Sequence, residues 1–204
     1  MTQFIFYGPN NASPTLLLTH GEAVGIDGHT MALVSEGIAE AGIRVALFEF
    51  DYMREMNTSG KVQKTPDIKH LCQEFRNAMH ALDDAQKLFM GGRIATLIGG
   101  ELFAEGFIHG IVCLGYPFHP PGNQEELRTA HLYNMKAPTL ICQGSLDQFG
   151  TSDEIAEYKL PSSISFRWLE DSDHSFMPLK SSVFSYLEHI ETVISEITTF
   201  MHEA

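Results

Sequence analysis

The 204 residues contain only three cysteines, Cys72, Cys113 and Cys142, with no CxxC motif and no Cys/His cluster. A structural zinc site is therefore not expected. Cys113 and Cys142 lie inside apolar runs and read as buried, reduced thiols. The ten histidines are scattered without HxH or HExxH spacing, so no metal pattern is present. Positive charge is scarce: 13 Lys and Arg against 26 Asp and Glu give a formal net charge of −13. Nucleic acid and anionic membrane surfaces both call for a basic face, and this balance disfavours them. The N-terminus, MTQFIFYGPNN, lacks a basic segment followed by an apolar core, so no signal peptide is expected. The apolar runs fall well short of the ~20 residues that span a bilayer. No repeat, low-complexity tract or charge block occurs. The expectation is a cytoplasmic protein with no metal and no organic cofactor.

Apolar residues make up 44% and charged residues 19%, an ordinary globular balance. The length suits one domain over residues 1–204. Short apolar runs read as strands: TLLLTH (15–20), RVALFEF (44–50), KLFM (87–90), GIVCLGY (110–116), TLICQG (139–144) and ISFRWLE (164–170), with FIFYG (4–8) as a leading edge strand. Most are apolar throughout, which fits strands buried on both faces of a parallel sheet. Helical spacing is predicted over 30–41, 68–82, 93–103, 127–135, 153–158 and 183–201. The last carries Val183, Tyr186, Leu187, Ile190, Val193, Ile194 and Ile197 on one stripe. Strand and helix alternate, which defines a doubly wound α/β fold with a mainly parallel sheet.

In such sheets the working residues gather beyond the carboxyl ends of the strands. Asp147 follows one late strand and His174 follows the final one. A carboxylate and a histidine in that order can form an acid–base pair, the carboxylate fixing the imidazole tautomer and the imidazole accepting a proton. Solvated loop polars are the alternative. His20 and Gly21 follow the first parallel strand, where a backbone N–H could face an oxyanion. The glycines at 21, 25 and 28 permit close backbone approach. A glycine-rich turn without a ligand is the competing reading.

The strings LTHGEAVGIDGHTM, GIRVALFEFDYM, GGRIA, GIVCLGYPFHPPG, LRTAHL, TLICQGSLDQFG and WLEDSDHSF resemble the small bacterial α/β hydrolases of the dienelactone-hydrolase-like group. They are most similar to the branch related to testis-expressed protein 30 and to a subunit of the nonspecific-lethal chromatin complex. The resemblance runs over nearly the whole chain. It implies an α/β-hydrolase fold with helices on both sheet faces and no lid domain. It also implies Asp147 and His174 as triad acid and base, and an ester-like small-molecule ligand. His20, Gly21, Tyr116 and His119 would contact substrate, with Arg128 at the pocket mouth, although Tyr116, His119 and Arg128 could equally be structural.

One element of that resemblance is missing. The family string at the third listed helix reads like GG-(R/K)-SMGGR, and its serine is the nucleophile. Here the chain reads FMGGRIA, and no serine occurs between Gly60 and Gly144. An intact relative is expected to read FMGGRSMGGRIA, in which MGGR occurs twice. Collapse of that repeat removes five residues, serine included, or roughly 16 Å of strand. The expected result is a shortened strand with a tight turn at Gly91 and Gly92, or a helix that slides. Glu22, Met90 and Gly91 mark the remnant of the oxyanion and elbow region. Glu22 and Asp27 depart from the small or apolar residues expected there. Ser145 and Ser175 adjoin the presumed acid and base too closely to replace the nucleophile easily. Three readings stay open: an inactive or weak serine hydrolase of small esters, thioesters or lactones; a pseudoenzyme binding a small molecule or protein through the old pocket; or hydrolysis by water activated at His174.

Overall fold

The computed structural model describes residues 4–10, 14–19, 28–82 and 84–204. Seven strands form one sheet in the order β1-β3-β2-β4-β5-β6-β7. The strands are β1 (Phe4–Tyr7), β2 (Thr15–Thr19), β3 (Arg44–Phe48), β4 (Leu88–Gly91), β5 (Gly110–Leu114), β6 (Thr139–Gly144) and β7 (Ile164–Leu169). Only β1 runs antiparallel, against β3, and its outward residues Ile5 and Phe6 are exposed. All other neighbours pair parallel, so the carboxyl ends from β2 to β7 open on one rim of the sheet.

The unbroken apolar runs have a direct cause. In β2, Leu17 belongs to the core on one face, while Leu16 and Leu18 belong to the core on the other. The first face is covered by α2 (Asp51–Ser59), α3 (Ile68–His80) and α4 (Arg93–Ala104), the second by α1 (His29–Glu40) and α6 (Tyr186–Glu203). A short α5 (Ser152–Ala156) follows β6. No described helix is long and apolar enough to cross a membrane.

Three expectations about helices need correction. Asp51–Ser59 is helical although it falls outside the ranges predicted from helical spacing, and Asp51 favours the helix N-terminus where it sits. Residues 127–135 hold only a 3-10 turn at Leu132–Asn134. That segment is pinned crosswise: the Arg128 N–H donates to the Phe118 carbonyl and the Tyr116 hydroxyl donates to the Arg128 carbonyl. The last helix starts at Tyr186, because Ser185 and Glu188 form a reciprocal capping box. Val183 and Leu187 are left exposed, and His189 takes a buried place on the stripe instead. Among the described residues, the link from β5 to β6 holds no inserted helical domain, and no lid lies over the rim.

Candidate functional site

Asp147 and His174 meet at the rim. The His174 Nδ1 lies 2.7 Å from Asp147 Oδ2. Asp147 is fully buried, and its carboxylate is held from three sides. Gln143 Nε2 donates to Oδ2 at 2.7 Å, and the Phe149 N–H donates to Oδ1 at 2.9 Å. Gln143 is fixed in turn by the Tyr116 N–H, which donates to its Oε1 at 2.7 Å. A carboxylate accepting from Nδ1 fixes the tautomer with Nε2 as the basic nitrogen. Phe149 packs on the imidazole at 4.5 Å between ring centroids. Close backbone approach makes the placement possible. A Cβ on Gly115 would lie 2.9 Å from the imidazole, and one on Gly144 would lie 2.3 Å from the Asp173 carbonyl oxygen.

His174 lines a cavity of about 310 Å³ whose walls include Phe50, Ile68, Leu71 and Ile94. The junction of β4 and α4 also opens into it, at Gly92 and Arg93. The turn is made by Gly92 alone, with φ 104° and ψ 169°, and α4 begins at the next residue. This corrects the placement of the elbow at Met90 and Gly91. Met90 is a mid-strand residue opposite Leu17 and Ile111, and Gly91 pairs with Leu18 and Val112. The Gly92 N–H is itself spent on the Val112 carbonyl, at 3.0 Å.

No serine or cysteine is among the described residues lining the cavity. Ser145 is buried and its hydroxyl accepts from the Asp171 N–H, while Ser175 is exposed beside the His174 loop. Cys113 lies near the Gly92 carbonyl, yet it is buried and burial pushes its thiol up to about 12. Burial likewise pushes the Cys142 thiol up. Neither can supply a thiolate near neutral pH. The threonines Thr19 and Thr65 do line the cavity. Among the described residues, however, the His174 side chain hydrogen-bonds to Asp147 and to no hydroxyl.

Tyr116 and His119 are not on the cavity wall. Tyr116 is fully buried, edge-on to Phe118, and His119 is buried with Nδ1 facing the Pro120 carbonyl. Gly115, at φ 71°, turns the chain so that Pro117 lines the cavity instead, and Tyr116 becomes a strut for Gln143. His20, Gly21 and Glu22 lie outside the described residues. Sequence reasoning missed Gln143 and Arg93. The signal for Gln143 was an amide within an otherwise apolar strand, four residues before Asp147.

A mainly parallel seven-stranded sheet with an Asp–His pair beyond β6 and β7 defines the α/β-hydrolase class. The chain belongs to the alpha/beta hydrolase domain family, whose model matches residues 12–202. Solved structures share the architecture. An alpha-beta serine hydrolase homologue from Coxiella burnetii superposes with a TM-score of 0.65 at 14% identity, over 97% of each chain. A serine hydrolase without lid from Xanthomonas campestris gives 0.65 at 12% identity, over 98% of this chain and 94% of that one. Est1E from Butyrivibrio proteoclasticus gives 0.67 at 12% identity, over 99% and 98%. These identities speak for the fold alone.

Proposed function

We propose that this chain is a serine-hydrolase relative of the dienelactone-hydrolase-like branch that lacks its nucleophile and uses the remaining pocket to hold a small, largely apolar molecule. The observation behind this reading is Gly92. A hydrolase of small esters, thioesters or lactones needs a hydroxyl or thiol where the strand turns into the helix, within reach of the base. At that point this chain has a glycine. The four-residue β4, shorter than the six-residue β6, fits a junction that has lost residues. Asp147 and His174 are assigned as the acid and base of the ancestral triad. Without the nucleophile, only weak catalysis from binding and from water near His174 Nε2 remains.

Treatment with a fluorophosphonate, followed by intact mass measurement, tests this. The expected result is the unmodified 22.7 kDa chain and negligible turnover of short acyl esters. One stoichiometric adduct would overturn the proposal. Ester hydrolysis that survives the phosphonate but vanishes in His174→Ala would move the assignment to water activated by the Asp147–His174 pair. The specific observation favouring that second reading is the intact 2.7 Å pair at a cavity wall.

A further inference from the structure

The chain exposes a group of large apolar side chains beside the His174 loop. Met177, Leu179, Val183, Phe184 and Leu187 all lie on the surface, with Val183 88% and Leu187 60% exposed. The backbone draws them together. Ser172 bridges to Pro178 antiparallel, and the Leu179 N–H donates to the Asp171 carbonyl. The Ser182 N–H then donates to the Leu179 carbonyl, a turn that sends the chain back towards α6. There the Phe184 ring packs on the His189 ring of the first helical turn, 5.5 Å between centroids. Leu146, also exposed, joins from the loop after β6, because its N–H donates to the Ser172 carbonyl. Single exposed apolar residues are ordinary, whereas a clustered set marks an interaction surface.

The turn that presents this surface is strained. Phe176 has φ 65°, a costly conformation for a bulky side chain. It buries the Phe176 ring and leaves Met177 outside, and methionine is a side chain that adapts to a partner. None of the six exposed apolar residues lines the cavity, so the surface is separate from it.

The charge around the surface is one-sided. Asp173 accepts from the Met177 N–H, and Asp171 accepts from the Ser182 hydroxyl, with Glu170 next to it. Glu188 follows Leu187 directly, and Glu191 lies one helical turn on, on the same face. Among the described residues, none of these five carboxylates has a lysine or arginine within ion-pair distance. Lys180 is the only lysine or arginine between residues 168 and 204. A second copy of the chain would set this acidic fringe against its like, and an anionic lipid surface would do the same.

We propose that this surface docks a protein partner through a cationic amphipathic segment, its apolar residues laid on Val183, Leu187 and Met177 and its lysines or arginines facing the acidic fringe. An amphipathic helix is the common form of such a segment. The apolar contact supplies the affinity, and the opposite charges steer the approach and exclude acidic competitors.

Fluorescence anisotropy with a labelled Leu/Lys amphipathic helical peptide, against a Leu/Glu peptide of the same pattern, tests the proposal on the full chain. The Leu/Lys peptide should bind and the Leu/Glu peptide should not. The pair Val183→Ser with Leu187→Ser leaves the charge unchanged and should weaken binding at least about tenfold. The pair Glu170→Gln with Glu191→Gln should also weaken it and reduce its salt dependence. If the serine pair lowers Tm, Val183→Ser alone carries the same comparison. No binding of the Leu/Lys peptide, or equal binding to the serine variant, would overturn the proposal, the latter because charge alone would then explain it. A dimer in sedimentation, or binding to phosphatidylglycerol vesicles, that the serine variant abolishes would overturn it in favour of a second copy or of lipid.

Discussion

Placing a serine at position 92 tests whether the missing nucleophile can be supplied by one substitution. Gly92 sits at φ 104° and ψ 169°, a region that residues with a Cβ rarely adopt. Holding serine there costs about 1–3 kcal/mol of backbone strain. The new Cβ would also lie 2.8 Å from Thr19 Cγ2 and 3.4 Å from the Thr19 carbonyl oxygen, so Thr19 must shift. For a chain of this size each kcal/mol lowers Tm by about 2–4 °C, which puts the expected fall at roughly 2–12 °C. Reach is the decisive point. A serine hydroxyl bonded to an imidazole nitrogen at ~2.8–3.0 Å, with the usual angle at oxygen, keeps its Cβ about 3.6–3.8 Å from that nitrogen. No atom of His174 comes within 4 Å of a Cβ built on Gly92. Gly92→Ser is therefore predicted to be less stable and not to gain a reactive serine.

Scanning calorimetry gives the first result, and fluorophosphonate labelling with p-nitrophenyl acetate turnover gives the second. A Gly92→Ser protein that labels stoichiometrically would refute the geometric argument, because the base would then already be within reach. The companion variant inserts Arg-Ser-Met-Gly-Gly between Gly92 and Arg93, rebuilding the string FMGGRSMGGRIA. If a five-residue loss caused the defect, that insertion should label where the point substitution does not. Failure of the folded insertion variant to label would remove the support for the deletion.

Two further outcomes follow from the same contacts. The Asp147 carboxylate accepts from Gln143, Phe149 and His174, so Asp147→Ala orphans one or two buried donors and should cost about 2–4 kcal/mol in urea unfolding, more than His174→Ala; an equal or larger cost for His174→Ala would contradict this. Glu154 is held below its ordinary carboxylate value of 4.5, chiefly by the Thr151 N–H, so its contribution is fully present above the unfolded value and is lost as pH falls through the folded one. Glu154→Gln should accordingly flatten the acid limb of the stability–pH curve, and an unchanged slope below that value would show that the capping box contributes nothing there.

Much of the fold could be read from the sequence because burial on both faces makes a strand predominantly apolar. Thr15–Thr19, Arg44–Phe48 and Thr139–Gly144 are buried at every position, and their sequences show it. The Asp147–His174 pair was legible for a related reason: each residue lies in the loop just past a strand whose end the hydrophobic pattern marks. What stayed hidden depends on turns. Tyr116 and Pro117 are neighbours in sequence, and only the positive φ of Gly115 decides that the proline meets the cavity and the tyrosine meets Gln143. The proximity of Arg93 to Arg128 is equally invisible, because it joins a helix start to a segment thirty-five residues later that looks helical and is not.

The presence of the Asp147–His174 pair is therefore weak evidence for hydrolysis. The loops after β6 and β7 are tied together by contacts that need no substrate. The Leu146 N–H donates to the Ser172 carbonyl, the Asp171 N–H donates to Ser145 Oγ, and Gly144 lies directly beneath the Ser172 and Asp173 carbonyls. Asp147 and His174 add a part-buried hydrogen bond of 2.7 Å to that seam. A protein that had given up the chemistry would still lose stability on losing the aspartate. The β4–α4 junction carries no such structural alternative for a serine. Whether this chain hydrolyses anything thus turns on Gly92 and its neighbours rather than on the pair that first suggests a hydrolase.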